Sequence, residues 1–268
     1  MKSVVIHVGV NVSNTSPLLM VCPVFSDGSF IFVPMPNERP GAKDKTTYRE
    51  ICDLVPGVCE VLEQLGFSTN YKVHYDPEFQ GFTFGEGRRK WMLARLCSGD
   101  FVFFLTSMKQ IPIPSKSDFL KNPRMYSETL KCLLKRNRGP DWFYGLIAQI
   151  KVSGIFAGKN EIMRYNLYGK CYELDSKAEN ILSTNAHVKR GDQYTGDYII
   201  IKGEKSESKE YPRAVPISQG NTPLKEVQDI FYKHASKRNG AKWFEAILDE
   251  EGTHLLLNFI KLQTSEIL

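Results

Sequence analysis

The residues Phe101-Val102-Phe103-Phe104-Leu105 (FVFFL) form a continuous apolar run that begins directly after Gly99-Asp100. A short apolar run next to a turn-forming pair is typical of a strand buried inside a sheet. A second run, Trp142 to Val152, follows the turn sequence Asn137-Arg138-Gly139-Pro140 and predicts another strand. These two runs indicate that the fold contains a sheet with buried strands.

Apolar stretches on both sides of this pair predict further strands and helices. The predicted strands are Val4 to Val10, Leu18 to Val24, Phe30 to Val33, Tyr198 to Ile201 and Leu255 to Ile260. The predicted helices are Val58 to Leu65, Lys90 to Leu96, Ser127 to Lys135 and Pro223 to Lys237. The sequence therefore predicts an α+β fold with a mixed, mostly antiparallel sheet and surrounding helices.

The length and composition are those of a globular protein. The chain has 268 residues, of which 42% are hydrophobic and 24% are charged. We see no repeat and no low-complexity linker, and we predict one α+β domain over residues 1–268 with a helical or loop-rich insertion at about 156–192. The apolar runs are far shorter than the roughly 20 residues that cross a bilayer. The first seven residues also lack the features of a secretion signal, so we expect a cytoplasmic protein with no membrane partner.

The sequence shows no motif for a cofactor or a metal. The six cysteines include no C-x-x-C pair, which favours reduced thiols in apolar surroundings over a zinc site. The glycine-rich phosphate loops, the esterase elbow and the H-E-x-x-H zinc motif are also missing. We therefore predict no cofactor and no metal.

The stretch His74-Tyr75-Asp76-Pro77-Glu78-Phe79 places an imidazole and two carboxylates within five residues. Alternate side chains of an extended backbone share a face, so His74 and Asp76 are expected to point the same way. Such a pair suits a general acid or base, or a site for a polar ligand. A structural turn, in which Asp76 caps the chain before Pro77, is the alternative interpretation.

The stretch Asn185-Ala186-His187-Val188-Lys189-Arg190 is a second candidate. An asparagine amide pairs with a base edge through two hydrogen bonds, and arginine binds phosphate or stacks on a base. Both properties suit a nucleotide, whereas helix capping and surface solvation explain the same residues without a ligand. Ser218 is a weaker candidate, because polar residues at strand ends are common.

Basic residues are grouped along the chain, and the net charge of +5 is compatible with a polyanionic partner. We predict that Arg88, Arg89, Lys189 and Arg190 contact phosphates. Solvated helix faces are the alternative explanation for these groups.

The order of several motifs resembles the nucleotide-modification-associated domain family of the third type. The motifs are Cys22 to Phe30, Val33 to Pro36, His74 to Phe79 with Thr83-Phe84-Gly85, Gly99 to Phe104, and Asn185-Ala186-His187 through to Ser218. Gly99-Asp100 and the run Gly145 to Ile150 also resemble the barrel of PUA-like domains, which include the EVE, ASCH and YTH modules. The resemblance implies a setting in base modification and a pocket that holds one nucleotide, and it adds Thr83 to the candidate nucleotide-binding residues.

Three functions therefore compete. The first is a nucleic-acid-associated protein that takes a non-standard base into a pocket lined by His74, Asp76, Asn185 and His187. The second is a base-modifying enzyme, a transferase or glycosidase, in which His74 and Asp76 transfer protons. The third is a structural interaction protein without nucleic acid. The sequence leaves open whether the partner is DNA or RNA and how many subunits assemble.

Overall fold

The computed structural model describes residues 1–8, 21–37, 45–87, 89–134, 141–189, 198–236 and 243–265. Within these ranges the strands are β1 (Ser3–His7), β2 (Cys22–Val24), β3 (Met35–Pro36), β4 (Val73–His74), β5 (Thr83–Glu86), β6 (Phe101–Gln110), β7 (Trp142–Ala157), β8 (Tyr172–Glu173), β9 (Ile199–Gly203), β10 (Lys209–Pro216), β11 (Ser218–Gln219), β12 (Thr222–Pro223), β13 (Ala235–Ser236) and β14 (Ala246–Leu248). The helices are α1 (Val58–Gln64), α2 (Lys90–Leu93), α3 (Lys116–Lys121), α4 (Ser127–Leu134), α5 (Lys159–Tyr165), α6 (Ser176–Ile181), α7 (Ala186–Lys189), α8 (Lys225–Lys233) and α9 (Glu250–Ser265), with two 3-10 helices at Tyr48–Ile51 and Pro123–Tyr126.

The main sheet is built around the long antiparallel pair β6 and β7, which the two apolar runs predicted. On one side of this pair the order continues through β1, β14 and β13, and on the other through β9 to β5. Among the described strands, three pairs are parallel: β1 with β6, β2 with β6, and β8 with β7. The sheet curls into a half-barrel, so the predicted α+β class with a mostly antiparallel sheet is confirmed.

The central strands are buried on both faces, which explains why they read as continuous apolar runs. Along β6, Val102 and Phe104 point into one core, while Phe101, Phe103 and Leu105 point into another. Helix α1 packs against the first core. Helices α8 and α9 cover the second core. The sheet therefore lies between α1 on one face and helices α8 and α9 on the other.

Most of the predicted elements are present. Helices α1, α2, α4 and α8 fall inside their predicted ranges, and Gly66 follows α1 in the left-handed conformation at a φ of 78°. The turn at residues 26–29 is also observed, with a bridge between Val24 and Phe30 on either side of it. Val10, Leu18 to Met20 and the turn at 137–140 lie outside the described residues. The predicted strand from Phe30 to Val33 is wrong, because Phe30 makes a single bridge and residues 31–33 are buried without strand pairing. The one-domain organisation with an insertion at about 156–192 stays a prediction, and α5, β8, α6 and α7 lie in that stretch.

The predicted strand from Leu255 to Ile260 is wrong, because these residues belong to helix α9. The buried positions of α9 are Gly252, Thr253, Leu256, Phe259 and Ile260, which recur at intervals of three or four residues and form a single helical stripe. The run of three leucines hides this period. The strand that pairs with β1 in this part of the chain is β14, just before α9.

The cysteines differ in part from the expectation. Cys52 and Cys59 form a disulfide that links the first 3-10 helix to α1, so the prediction of reduced thiols is wrong for this pair. Cys22 is a buried free thiol, and burial raises its pKa to about 11. Among the described residues, no helix combines the length and the apolar character that crossing a membrane requires.

We predict that Leu256→Ala lowers the free energy of unfolding by about 2–5 kcal/mol, because Leu256 is fully buried against the second core. The neighbouring Leu255→Ala is the matched control, since Leu255 is 40% exposed, and it should change the value by about 0.5 kcal/mol. Urea unfolding followed by circular dichroism measures both. Equal effects of the two variants would contradict the placement of α9.

Candidate functional site

Three chain segments, one of which is strand β5, meet at the edge of the sheet. The first runs from β4 to Glu78 and contains the cis peptide bond between Asp76 and Pro77. Backbone hydrogen bonds of 2.9 Å in both directions between Glu78 and Thr83 fold this segment back against β5. The second segment is strand β5 itself, and the third is the short helix α7. Side chains that lie more than a hundred residues apart in sequence are thereby in contact.

His74, Asp76 and His187 form the centre of this meeting point, and we call these three residues the His–Asp–His cluster. Asp76 Oδ2 lies 3.0 Å from His187 Nε2 and 3.8 Å from His74 Nε2. The two imidazole rings meet edge to face with their centroids 4.8 Å apart. The imidazole and carboxylate groups predicted from the two separate stretches therefore converge.

The Asp76 carboxylate is the most enclosed member of the cluster. The backbone N–H of Gly85 donates to both of its oxygens, at 3.1 and 3.3 Å. Burial raises the pKa of Asp76, while the hydrogen bonds from His187 and Gly85 oppose that rise. The side chain of His74 retains 14% of its surface exposed, against 2% for Asp76, so solvent reaches the cluster at His74.

Several contacts hold His187 in place. Its backbone N–H donates to Asn185 Oδ1 at 2.9 Å, and the Asn185 amide donates to Thr83 Oγ1 at 3.0 Å. The ring lies 4.1 Å from that of Tyr198, and Nε2 is 3.1 Å from the carbonyl oxygen of Gly85. These contacts fix the orientation of the imidazole against β5.

The glycines of β5 make this approach possible. A Cβ atom on Gly85 would lie 2.2 Å from Cδ2 of His187, and one on Gly87 would lie 2.9 Å from the ring of Tyr198. Both distances are far below van der Waals contact, so a larger residue at either position would displace the ring.

Two charged residues close to the cluster in sequence, Glu78 and Arg89, have partners of their own. Glu78 accepts a hydrogen bond from Thr184 at 2.7 Å and so ties its loop to the residues before α7. Arg89 pairs with Glu86 at 2.8 Å and with Glu245 at 3.0 Å. It also donates to the backbone carbonyl of His7 at 3.1 Å. The charge of Arg89 is thus balanced inside the protein.

Comparison with known families gives a match over nearly the whole chain. Residues 2–255 match the model described as nucleotide modification associated domain 3. The chain belongs to this family. No curated protein and no solved structure gives a significant match, so the likeness to PUA-like barrels stays a prediction.

Within this nucleotide modification associated domain, five of the ten predicted site residues lie together. They are His74, Asp76, His187, Asn185 and Thr83. Lys189 is exposed at the end of α7, two residues from His187, and Arg89 is engaged as described above. Arg88 and Arg190 lie outside the described residues. Their predicted contacts with phosphate and base stay predictions.

Ser218 belongs to a different set of contacts. It accepts from the backbone N–H of Tyr144 at 2.7 Å and donates to the carbonyl of Gly220 at 2.8 Å. The first bond attaches β11 to β7, the second lies within the turn between β11 and β12, and neither involves the His–Asp–His cluster. Its nucleotide-binding role also stays a prediction.

Sequence reasoning did not place Gly85, Tyr198 or Glu245 at the site. The signal for Gly85 was present, since an isolated glycine in a strand often marks a close approach of other groups. No local pattern indicates that Glu245, which lies 156 residues after Arg89, pairs with it.

We predict that Gly85→Ala destabilises the protein by about 1–3 kcal/mol, because the added methyl group collides with the His187 ring. In a His187→Ala background the same change should cost much less, since the colliding ring is gone. A double-mutant cycle by urea unfolding measures this coupling. Strictly additive costs would show that the ring is not the group that Gly85 accommodates.

Proposed function

We propose that this protein takes part in modifying or recognising a non-standard base in nucleic acid and that the base is handled at the His–Asp–His cluster. The observation behind this proposal is the convergence of His74, Asp76 and His187 beside β5. Membership of a family associated with nucleotide modification supports the choice of a nucleotide base as the substrate class. The cluster supplies polar groups suited to a base edge or to proton transfer.

The burial of the cluster supports a functional role. A buried carboxylate is costly, and perturbed ionisable groups held together by specific contacts are enriched at functional sites. His74 is the member that solvent reaches, so we assign it the contact with the base. Asp76 and His187 lie behind it and orient it.

The hydrogen-bond pattern divides the remaining residues by role. Asn185 and Thr83 are fully buried and bonded to each other, so we assign them to the support of His187. Arg89 is paired with two carboxylates, whereas Lys189 is exposed beside the cluster. We therefore assign phosphate contact to Lys189 ahead of Arg89.

The test is oligonucleotide binding by fluorescence anisotropy, with single- and double-stranded DNA and RNA that carry plain or modified bases. We expect the wild-type protein to prefer a modified base and to lose affinity as salt increases, because neutralised phosphates release counterions. His74→Ala should weaken binding to the preferred oligonucleotide at least tenfold, equivalent to about 1.4 kcal/mol.

The matched control is His254→Ala, since His254 is an exposed histidine that is also 3.8 Å from a carboxylate, that of Glu250. This variant should bind as the wild type does. Lys189→Ala should lower the slope of log affinity against log salt by about one. Wild-type binding that is indifferent to both base and salt would refute the proposal.

A second candidate, a base-modifying enzyme, is favoured by the 3.0 Å contact between Asp76 and His187 and by the position of His74 next to it. A carboxylate between two imidazoles is suited to orient a general acid or base. In this candidate His74 exchanges the proton with the base or sugar, and Asp76 fixes the ring.

The enzyme candidate predicts that incubation with the preferred oligonucleotide changes its nucleoside composition, measured by mass spectrometry after digestion. His74→Gln should abolish the change while binding falls less, because the ring is needed for the reaction more than for complex formation. If the wild-type protein binds the oligonucleotide but leaves every nucleoside intact in the presence of candidate co-substrates, the enzyme candidate is refuted and the recognition function remains.

A further inference from the structure

We propose that the His–Asp–His cluster is a binding site for one divalent transition-metal ion, with His74, Asp76 and His187 as its protein ligands. This inference deepens the proposed function, since it concerns the same site. It differs from the sequence-based expectation of no metal. That expectation is based on ligands close together in sequence, whereas Asp76 and His187 are 111 residues apart.

The first argument is the spacing of the donor atoms. Each of the three side chains offers one ligand atom, and these atoms lie within 4.8 Å of one another. Metal–ligand bonds of roughly 2.0–2.2 Å place two ligands of one ion about 3 Å apart at right angles and about 4.3 Å apart when opposite. The measured separations of 3.0 and 3.8 Å from Asp76 fall in that range.

The second argument is charge. The Asp76 carboxylate is buried, and among the described residues no lysine or arginine lies within ion-pair distance of it. Its contacts are the two imidazoles and the N–H of Gly85. A cation held between the carboxylate and the rings would compensate the buried negative charge.

The third argument is the support around the ligands. Metal-binding side chains are usually oriented by hydrogen bonds from outer residues. Gly85 N–H holds the Asp76 carboxylate, while Asn185 and Tyr198 hold His187. The carbonyl oxygen of Gly85 is 3.1 Å and Asp76 Oδ2 is 3.0 Å from His187 Nε2, so the ion would replace the proton that Nε2 directs at these two oxygens, and that proton would be released to solvent. The carbonyl would then be a further oxygen ligand.

The donor set indicates the class of metal. Two imidazoles and one carboxylate suit iron, zinc or manganese in the divalent state better than magnesium or calcium, which prefer oxygen. Three protein ligands leave coordination positions for water or substrate, and the exposed part of His74 marks the side from which they would enter. The site has the composition of a reactive centre rather than a closed structural one.

Metal content tests the proposal directly. Full-length protein is stripped with a chelator, dialysed, and equilibrated with Zn²⁺, Mn²⁺, anaerobic Fe²⁺ or Mg²⁺, and bound metal is measured by plasma mass spectrometry. We expect one transition-metal ion per chain and no retained Mg²⁺. His74→Gln and His187→Gln should each weaken binding at least tenfold, and the control His254→Gln should bind as the wild type does.

A spectroscopic measurement on the wild type avoids dependence on variants that fail to fold. The chain has five histidines. In ¹⁵N-histidine NMR spectra, Zn²⁺ should shift the ring signals of His74 and His187, while the signals of His254 stay unchanged. Folded wild-type protein that retains none of the transition metals, or variants that retain as much as the wild type, would overturn the metal site.

Oligonucleotide binding by the same preparations separates this inference from the proposed function. Base-selective binding by a protein that holds no metal overturns the metal site alone and leaves His74 available for proton transfer. Metal retention with indifference to every oligonucleotide overturns the proposed function alone.

Discussion

The enclosed carboxylate of Asp76 is the constraint on which the site depends. A carboxylate removed from water requires hydrogen bonds or positive charge in return. Asp76 obtains them from Gly85 and His187, which lie on different segments. Satisfying this group therefore joins the β4 segment, strand β5 and helix α7, which the bonds of Glu78 with Thr83 and Thr184 and of Asn185 with Thr83 also hold together.

The half-barrel makes that arrangement possible by holding β5 at its rim. Strand β5 pairs with β9, and β9 pairs with β7, the longest strand of the sheet. The two-sided burial of β6 and β7 makes this part of the sheet a rigid support. The site is thus attached to the longest strand of the sheet through one intermediate strand.

The sequence predicted the elements whose pattern is local and missed contacts that depend on tertiary packing. Helix α1, with Gly66 after it, and the apolar core of β6 each have a pattern readable within a few residues. The sequence predicts a strand in place of part of helix α9, because three consecutive leucines, Leu255 to Leu257, obscure the helical spacing of its buried residues. The pairing of Arg89 with Glu245 joins parts of the chain 156 residues apart, which no short pattern records. The disulfide between Cys52 and Cys59 is local, with a sequence separation of 7, but that spacing does not match the C-x-x-C pattern. His74, Asp76 and His187 were identified by residue type alone, and only the fold shows that they touch.

Strand β5 is the last strand of the main sheet among the described residues, yet the outward side of its backbone is occupied. Thr83 bonds to Glu78, while the N–H and carbonyl of Gly85 bond to Asp76 and His187. Open sheet margins invite self-association between molecules. Because Asp76 and His187 occupy the backbone groups of Gly85, the cluster also leaves this part of the sheet margin without free hydrogen-bonding groups for a second molecule.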